Sequence, residues 1–152
     1  MRVTAKVDYA VRAGLHLAGH QGAGPIKGER IAEAQGIPLK YLENILAELR
    51  QAGLVRSQRG ADGGYWLAVP ADEVPLAEII RAVEGPLAHV RGERPTDLDY
   101  PEGTGALQDV WVAVRAALRQ VLDEVTLADV VEGRLPDHVR SLLETPAAWE
   151  AR

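Results

Sequence analysis

From Gly36 to Leu67 the chain reads GIPLKYLENILAELRQAGLVRSQRGADGGYWL, and the period of its apolar positions changes once along the way. Leu42, Ile45, Leu46 and Leu49 fall at i, i+3, i+4 and i+7, the spacing that lines one side of a helix. Pro38 suits the first turn of that helix, where a missing N–H is no loss, and Gly53 supplies a C-terminal stop. With the four apolar side chains turned inward, Lys40, Asn44, Ala47 and Gln51 point outward and Glu43 lies on the flank. The pattern then gives way to two extended runs, Leu54–Arg59 and Gly64–Leu67, around Gly60-Ala61-Asp62-Gly63. Asp62-Gly63 between two such runs predicts a hairpin whose turn takes up positive φ.

Upstream, residues 27–35 predict a short helix with Ile31 and Ala32 on its apolar side, and Gly36-Ile37 a tight corner. A short helix, a glycine corner and a second helix form a helix-turn-helix pattern, and the hairpin behind them makes it winged. This order is more specific than any of its parts, and it points to double-stranded DNA. Lys40 and Asn44 are candidates for base or phosphate contact. A carboxylate near DNA is repelled by phosphates, so Glu43 makes sense as an acceptor from a cytosine amino group. Arg59 beside Gly60 at the hairpin tip can enter a narrow, A·T-rich minor groove. Arg2, Lys6 and Lys27 are candidate phosphate contacts, and Pro38, Tyr41 and Ser57 complete the candidate surface.

The flanking segments fit around this unit. Residues 2–19 predict a first helix with Thr4 as N-cap and Gly19 or Gly22 as stop. Pro75 opens another helix, Leu76 to Glu84, that Gly85-Pro86 ends, completing a winged helix-turn-helix domain over 1–85. Residues 86–104, rich in Pro, Gly and charge, read as a structureless connection. Beyond it, with Thr104 as cap, Leu107, Trp111, Val114, Leu118, Val121, Val125 and Ala128 follow a 3.5-residue repeat. The expected use of so long a stripe is pairing with the same helix of a second copy, with Leu107, Trp111, Val114, Leu118, Val121 and Val125 as the seam. Thr126-Leu127-Ala128-Asp129 resembles a capping box, so the helix should break near Val125 and a short one run to Gly133, the whole region spanning 105–132. The tail, 133–152, holds a helical turn or two from Asp137 to Leu143. The expected fold is thus mainly α with a small β-hairpin wing: a winged helix-turn-helix domain plus a long dimerisation helix.

Charge adjusts this picture. Of a net −5, residues 1–69 hold nine Lys/Arg against six Asp/Glu, and residues 70–152 eight against sixteen. A mildly basic front on an acidic body agrees with DNA binding, which depends on local phosphate neutralisation. No apolar run approaches the roughly 18 residues of a membrane span, and no signal-peptide pattern opens the chain, so a cytoplasmic location is expected. The absence of cysteine excludes disulfides and thiolate-held metal centres.

Tyr41-Leu42-Glu43, Ile45-Leu46, Leu49, Ala52-Gly53-Leu54-Val55, Ser57, Arg59-Gly60 and Gly63-Gly64-Tyr65 resemble the signature of the Rrf2 family of IscR- and NsrR-like bacterial transcription regulators. The likeness extends to Asp8-Tyr9-Ala10-Val11-Arg12 and Ala82-Val83-Glu84-Gly85. It implies a winged-helix DNA-binding regulator, a homodimer on a palindromic operator, and Glu43 as the base-reading residue. The family usually has Ser where Pro38 and Lys40 stand, which implies a different sequence preference. Members that sense iron or nitric oxide carry three cysteines in the region of residues 86–104 and an acidic ligand at the place of Asp8. With no thiolate here, a repressor without an iron–sulfur cluster, and without any other cofactor, is expected.

Other readings of the residues stand beside this one. A regulator acting through a partner protein would use the acidic rear half as its docking surface. A small-molecule sensor would hold its ligand among Tyr9, Trp66, Tyr100 and Trp111. His16 with His20, or His89 with Glu93, Asp97 and Asp99, are loose metal-site candidates, better read as plain surface. An enzyme lacks support: Ser57 and Ser141 have no nearby histidine, and no phosphate-cradling glycine motif occurs.

Overall fold

The computed structural model describes residues 2–151. Helices α1 (Ala5–Gly19), α2 (Gly28–Gln35) and α3 (Leu39–Gln51) precede a hairpin of β1 (Val55–Gln58) and β2 (Gly64–Leu67), and α4 (Leu76–Glu84) follows. Their core is one cluster in which Leu17, Ile31, Leu42, Ile45, Leu46, Leu49 and Ile79 are almost wholly buried. Thr4 caps α1 as expected, its hydroxyl accepting from the Val7 N–H at 3.2 Å. Gly36 ends α2 in the left-handed region at φ 61°, and Pro38 precedes α3. Gly53 closes α3 at φ 78°.

The hairpin pairs Val55 with Leu67, Arg56 with Trp66, Ser57 with Tyr65 and Gln58 with Gly64. Its turn departs from the Asp-Gly expectation. Positive φ falls on Gly60 (104°) rather than on Gly63. Gly63 is needed for closeness instead: a Cβ there would lie 2.1 Å from the Gln58 carbonyl oxygen. Ile26 adds a third short rung, exchanging two backbone hydrogen bonds with Tyr65 at 2.8 and 2.9 Å.

Residues 86–104 are not structureless. Leu87, Pro95 and Leu98 are buried, Val90 and Glu93 form a bridge, and Pro95–Asp97 makes a 3-10 turn. Gln108 fastens the segment to α5 (Ala106–Leu122) by donating to the carbonyls of Thr96 and Leu98 at 3.1 and 2.8 Å. Thr104 does not cap α5. Its hydroxyl donates to the Pro101 carbonyl, and no side chain caps the helix.

The break beyond α5 falls close to its expected place, since α5 ends at Leu122 and α6 (Leu127–Glu132) starts after Thr126. The capping box forms in both directions, with Asp129 N–H to the Thr126 hydroxyl at 3.1 Å and Thr126 N–H to the Asp129 carboxylate at 2.9 Å. Helix α7 (Asp137–Leu143) and a 3-10 turn at Pro146–Ala148 close the order. Among the described residues no helix is long and apolar enough to cross a membrane.

Candidate nucleic-acid interface

The corner between α2 and α3 is built by burial. Ile31, Ala32 and Ile37 fill its inside, and the Ile37 N–H donates to the Ala32 carbonyl at 2.9 Å. This seats α3 with Leu42, Ile45, Leu46 and Leu49 inward, and leaves Pro38, Lys40, Glu43, Asn44, Ala47 and Gln51 exposed along its other side. Lys40 and Arg59 make no ion pair within the described residues. Their charge is therefore available to a phosphate.

Several predicted residues position the surface rather than offer free charge. Lys27 Nζ donates to the Gly60 carbonyl at 2.7 Å, tying the wing turn to the entrance of α2. Ser57 accepts from Arg50 Nη1 at 3.1 Å, so the end of α3 is fixed against β1. Tyr41, partly exposed, meets Tyr9 edge-on with ring centres 5.6 Å apart, and the Arg12 guanidinium lies 5.0 Å over the Tyr9 ring. Arg12 also donates to the Gln35 carbonyl at 2.7 Å and pairs with Asp8 at 3.0 Å. This chain of contacts braces α1 against the corner.

Arg2 is not brought to this surface, and Lys6 reaches only its edge, against α3. Lys6, half-buried, has its charge engaged, donating to the Val83 carbonyl at 2.8 Å and pairing with Glu48 of α3 at 2.9 Å. Arg2 lines a cleft with Ile80, Glu84 and Leu118, on the α4 and α5 side. Arg50, on the flank with Glu43 and Ala47, escaped the sequence reading. Counting i, i+4, i+7 from Glu43 would have found it.

The stripe on α5 is real but turned. No residue of this 17-residue helix is buried. The predicted second row nevertheless leans inward: Trp111 donates to the Tyr100 hydroxyl at 3.0 Å, and Leu118 lines the cleft against Val7 and Ile80. Val125 lies beyond the helix, 3% exposed, its carbonyl accepting from Leu76 N–H at 2.9 Å. It is core, not seam, because the break at Asp123 redirects the chain under α4. The open row is Leu107, Val110, Val114, Ala117 and Val121, with Leu107, Val110 and Ala117 exposed and Val114 and Val121 half-buried; Val110 and Ala117 were missed.

The four aromatic residues suggested as a pocket do not converge. Tyr9 pairs with Tyr41, Trp111 with Tyr100, and Trp66, in β2 of the wing, lines a cleft with Val55 and Val69. His16 and His20 stack at 4.4 Å, with burial holding the His16 ring below its ordinary basicity, helped by His20 and Arg30. His89 Nδ1 faces the Pro86 carbonyl at 2.8 Å. No group of three metal-ligating side chains forms among the described residues.

Comparison with known proteins agrees with this geometry. The sequence profile described as "Rrf2: Iron-dependent Transcriptional regulator" matches residues 3–133. An HTH-type transcriptional regulator of Mycobacterium tuberculosis is 48% identical over 151 residues, covering 99% of this chain and 94% of its own length. The regulator CymR of Bacillus subtilis is 35% identical over 133 residues, covering 86% and 89%. The solved B. subtilis CymR structure superposes with a TM-score of 0.75 at 34% identity, over 88% of this chain and 98% of that one. T. potens IscR gives 0.69 at 36% identity, over 100% and 93%. An iron–sulfur cluster does not fit the residues present, because no thiolate exists and the Asp8 carboxylate is taken by Arg12. From its paired α2–α3 corner, its stitched wing and these relatives, the chain belongs to the Rrf2 family of winged-helix, DNA-binding transcriptional regulators.

Proposed function

We propose that the protein is a homodimeric repressor in which two copies pair along α5 and read a palindromic operator. The observation that carries this is the open row Leu107, Val110, Val114, Ala117 and Val121 on a helix with no buried residue. Its spacings of 3, 4, 3 and 4 are those of a two-helix seam, and a contiguous apolar row in water calls for a partner surface. A two-fold axis then carries the reading helices into major grooves about 34–36 Å apart, one turn of the duplex.

Within each half-site, Lys40 and Asn44 contact phosphates and base edges, and Glu43 accepts from a cytosine amino group. Pro38 and Tyr41 frame the entry of α3, while Arg59 and Gly60 approach the adjoining minor groove. Lys27 and Ser57 act through the parts they hold, the wing turn and Arg50. Repression follows from occupancy of a promoter by such a dimer.

The test is fluorescence anisotropy on the gene's own upstream duplex across a salt series. Affinity should fall steeply as salt rises, because phosphate contacts release counterions. Arg59→Ala should weaken binding, most at A·T-rich flanks, and leave the dimer intact. Unchanged affinity would mean that the hairpin faces away from the duplex. No binding even at low salt would favour a regulator working through a partner protein on its acidic rear half.

A further inference from the structure

Between the end of α4, the connection after it and α5 lies a cavity of about 460 Å³. That is within the usual range for small-molecule sites, about 300–1,000 Å³. Its polar side chains are Arg81, His89, Arg94, Thr96, Arg115 and Arg119, and no carboxylate lines it. Pro86, Leu87 and Pro95 add an apolar wall. This composition runs against its surroundings. In residues 70–152 acids outnumber bases sixteen to eight, yet four of those eight cations gather here.

Existing partners do not consume all of this charge. Arg81 is held between Glu78 and Asp123, both at 2.7 Å, and Arg119 shares Asp123 at 3.7 Å. Arg94 and Arg115 make no ion pair and no side-chain hydrogen bond among the described residues. Against four guanidiniums stand three carboxylates outside the lining, Glu78, Asp123 and Asp97, the last accepting from the Thr96 hydroxyl at 3.1 Å, so a net positive charge of one remains. The His89 Nδ1 facing a carbonyl must carry the proton, since a carbonyl only accepts, which leaves Nε2 unengaged. A guanidinium fork matches the paired oxygens of a carboxylate or phosphate.

We infer that this cavity is an effector site for a small organic polyanion, one carrying two or more carboxylate or phosphate groups. Arg94 and Arg115 grip one anionic group, Arg119 borders the second, and the apolar wall receives the carbon skeleton. The position gives the site leverage. Arg94 belongs to the connection, Arg115 to α5, and Arg81 carries the ion pair joining α4 to the residue after α5. An anion bridging Arg94 and Arg115 clamps the connection on α5 and sets how the reading domain sits on the seam. On α5, Arg115 and Arg119 lie roughly opposite the open Val110–Ala117 row, so pairing there leaves the cavity accessible. This regulatory half rests on the DNA-binding reading above, whereas ligand binding itself does not.

Citrate and fructose 1,6-bisphosphate, titrated separately into the full chain at constant ionic strength, test both parts and separate carboxylate from phosphate chemistry. Isothermal titration calorimetry should show saturable binding of at least one probe, with affinity lowered about tenfold or more in Arg94→Ala and Arg115→Gln and unchanged in Arg140→Ala. Both substituted arginines are at least partly exposed, so the variants should fold. Binding of neither probe, or equal binding by all variants, overturns the site. Operator affinity, measured on the ligand-free protein first, should then change about fivefold or more with the bound probe. The effect must vanish in Arg94→Ala, which keeps any general salt effect. Site binding without that change would overturn the regulatory role, and failure of the ligand-free protein to bind operator would sink the DNA-binding reading instead.

Discussion

Replacing Val110 by Asp should break the proposed pairing of two chains while leaving each chain folded. In the protomer Val110 is 51% exposed. Burying a whole valine side chain stabilises by about 2 kcal/mol, so closing its open half contributes about 1 kcal/mol. A two-fold axis places the residue in the seam twice, for about 2 kcal/mol, which raises the dimer dissociation constant about 30-fold. That value is a floor, since a carboxylate forced into an apolar seam adds a desolvation penalty. Sedimentation velocity over a dilution series measures the shift, and circular dichroism checks that helix content is kept. Val125→Asp is the contrasting case: at 3% exposure it should unfold the chain rather than separate two folded ones. A Val110→Asp protein that sediments like the parent at every dilution would show that pairing does not run along this row.

Three further outcomes can be checked independently. Gly63→Ala puts a Cβ 2.1 Å from the Gln58 oxygen, so the wing turn must open; a cost of about 1–3 kcal/mol and weaker operator binding are expected, and an unaltered thermal midpoint would contradict this. Thr126→Ala removes the acceptor for Asp129 N–H, which should cost about 1 kcal/mol and lower the melting midpoint by about 2–4 °C, whereas Thr126→Ser should preserve it. Because burial first, then His20 and Arg30, hold the His16 pKa below its ordinary 6.5, the unfolded chain takes up its proton first as pH falls. Stability should therefore be level at neutral pH and drop below about pH 6.5, with a smaller drop in His16→Gln, as urea titrations at both ends would reveal.

The reading unit was legible because its signals are local. The four leucine and isoleucine positions of α3, the Pro38 entry and the Gly53 exit all act within a few residues of one another. The α5 stripe was visible too, but a repeat gives the width of an apolar stripe and not which flank its own protomer covers. That choice depends on Tyr100 reaching Trp111 and on Leu118 facing the cleft that Ile80 also lines. The intramolecular partners of Lys6 were hidden for a similar reason, since Glu48 and Val83 lie 42 and 77 residues away along the chain. The segment 86–104 carries no period because single residues, Leu87, Pro95 and Leu98, anchor it one at a time. Its four-arginine cavity draws on three separate stretches and emerges only on folding.

The two backbone bonds between Ile26 and Tyr65, with Lys27 holding Gly60, make the hairpin and the helix pair a single two-pronged gauge. A Cβ on Gly64 would come within 2.5 Å of the Ile26 backbone, so even one methyl group would prise the prongs apart. On the proposed mode of binding, in which α3 and the wing probe neighbouring grooves, the offset between those grooves along the duplex is a constant of the protein. Inserting one base pair between those contacts moves one target by about 3.4 Å along the axis and about a tenth of a turn around it, beyond what such a gauge accommodates. Operators for this protein should accordingly tolerate base changes far better than changes of spacing within a half-site.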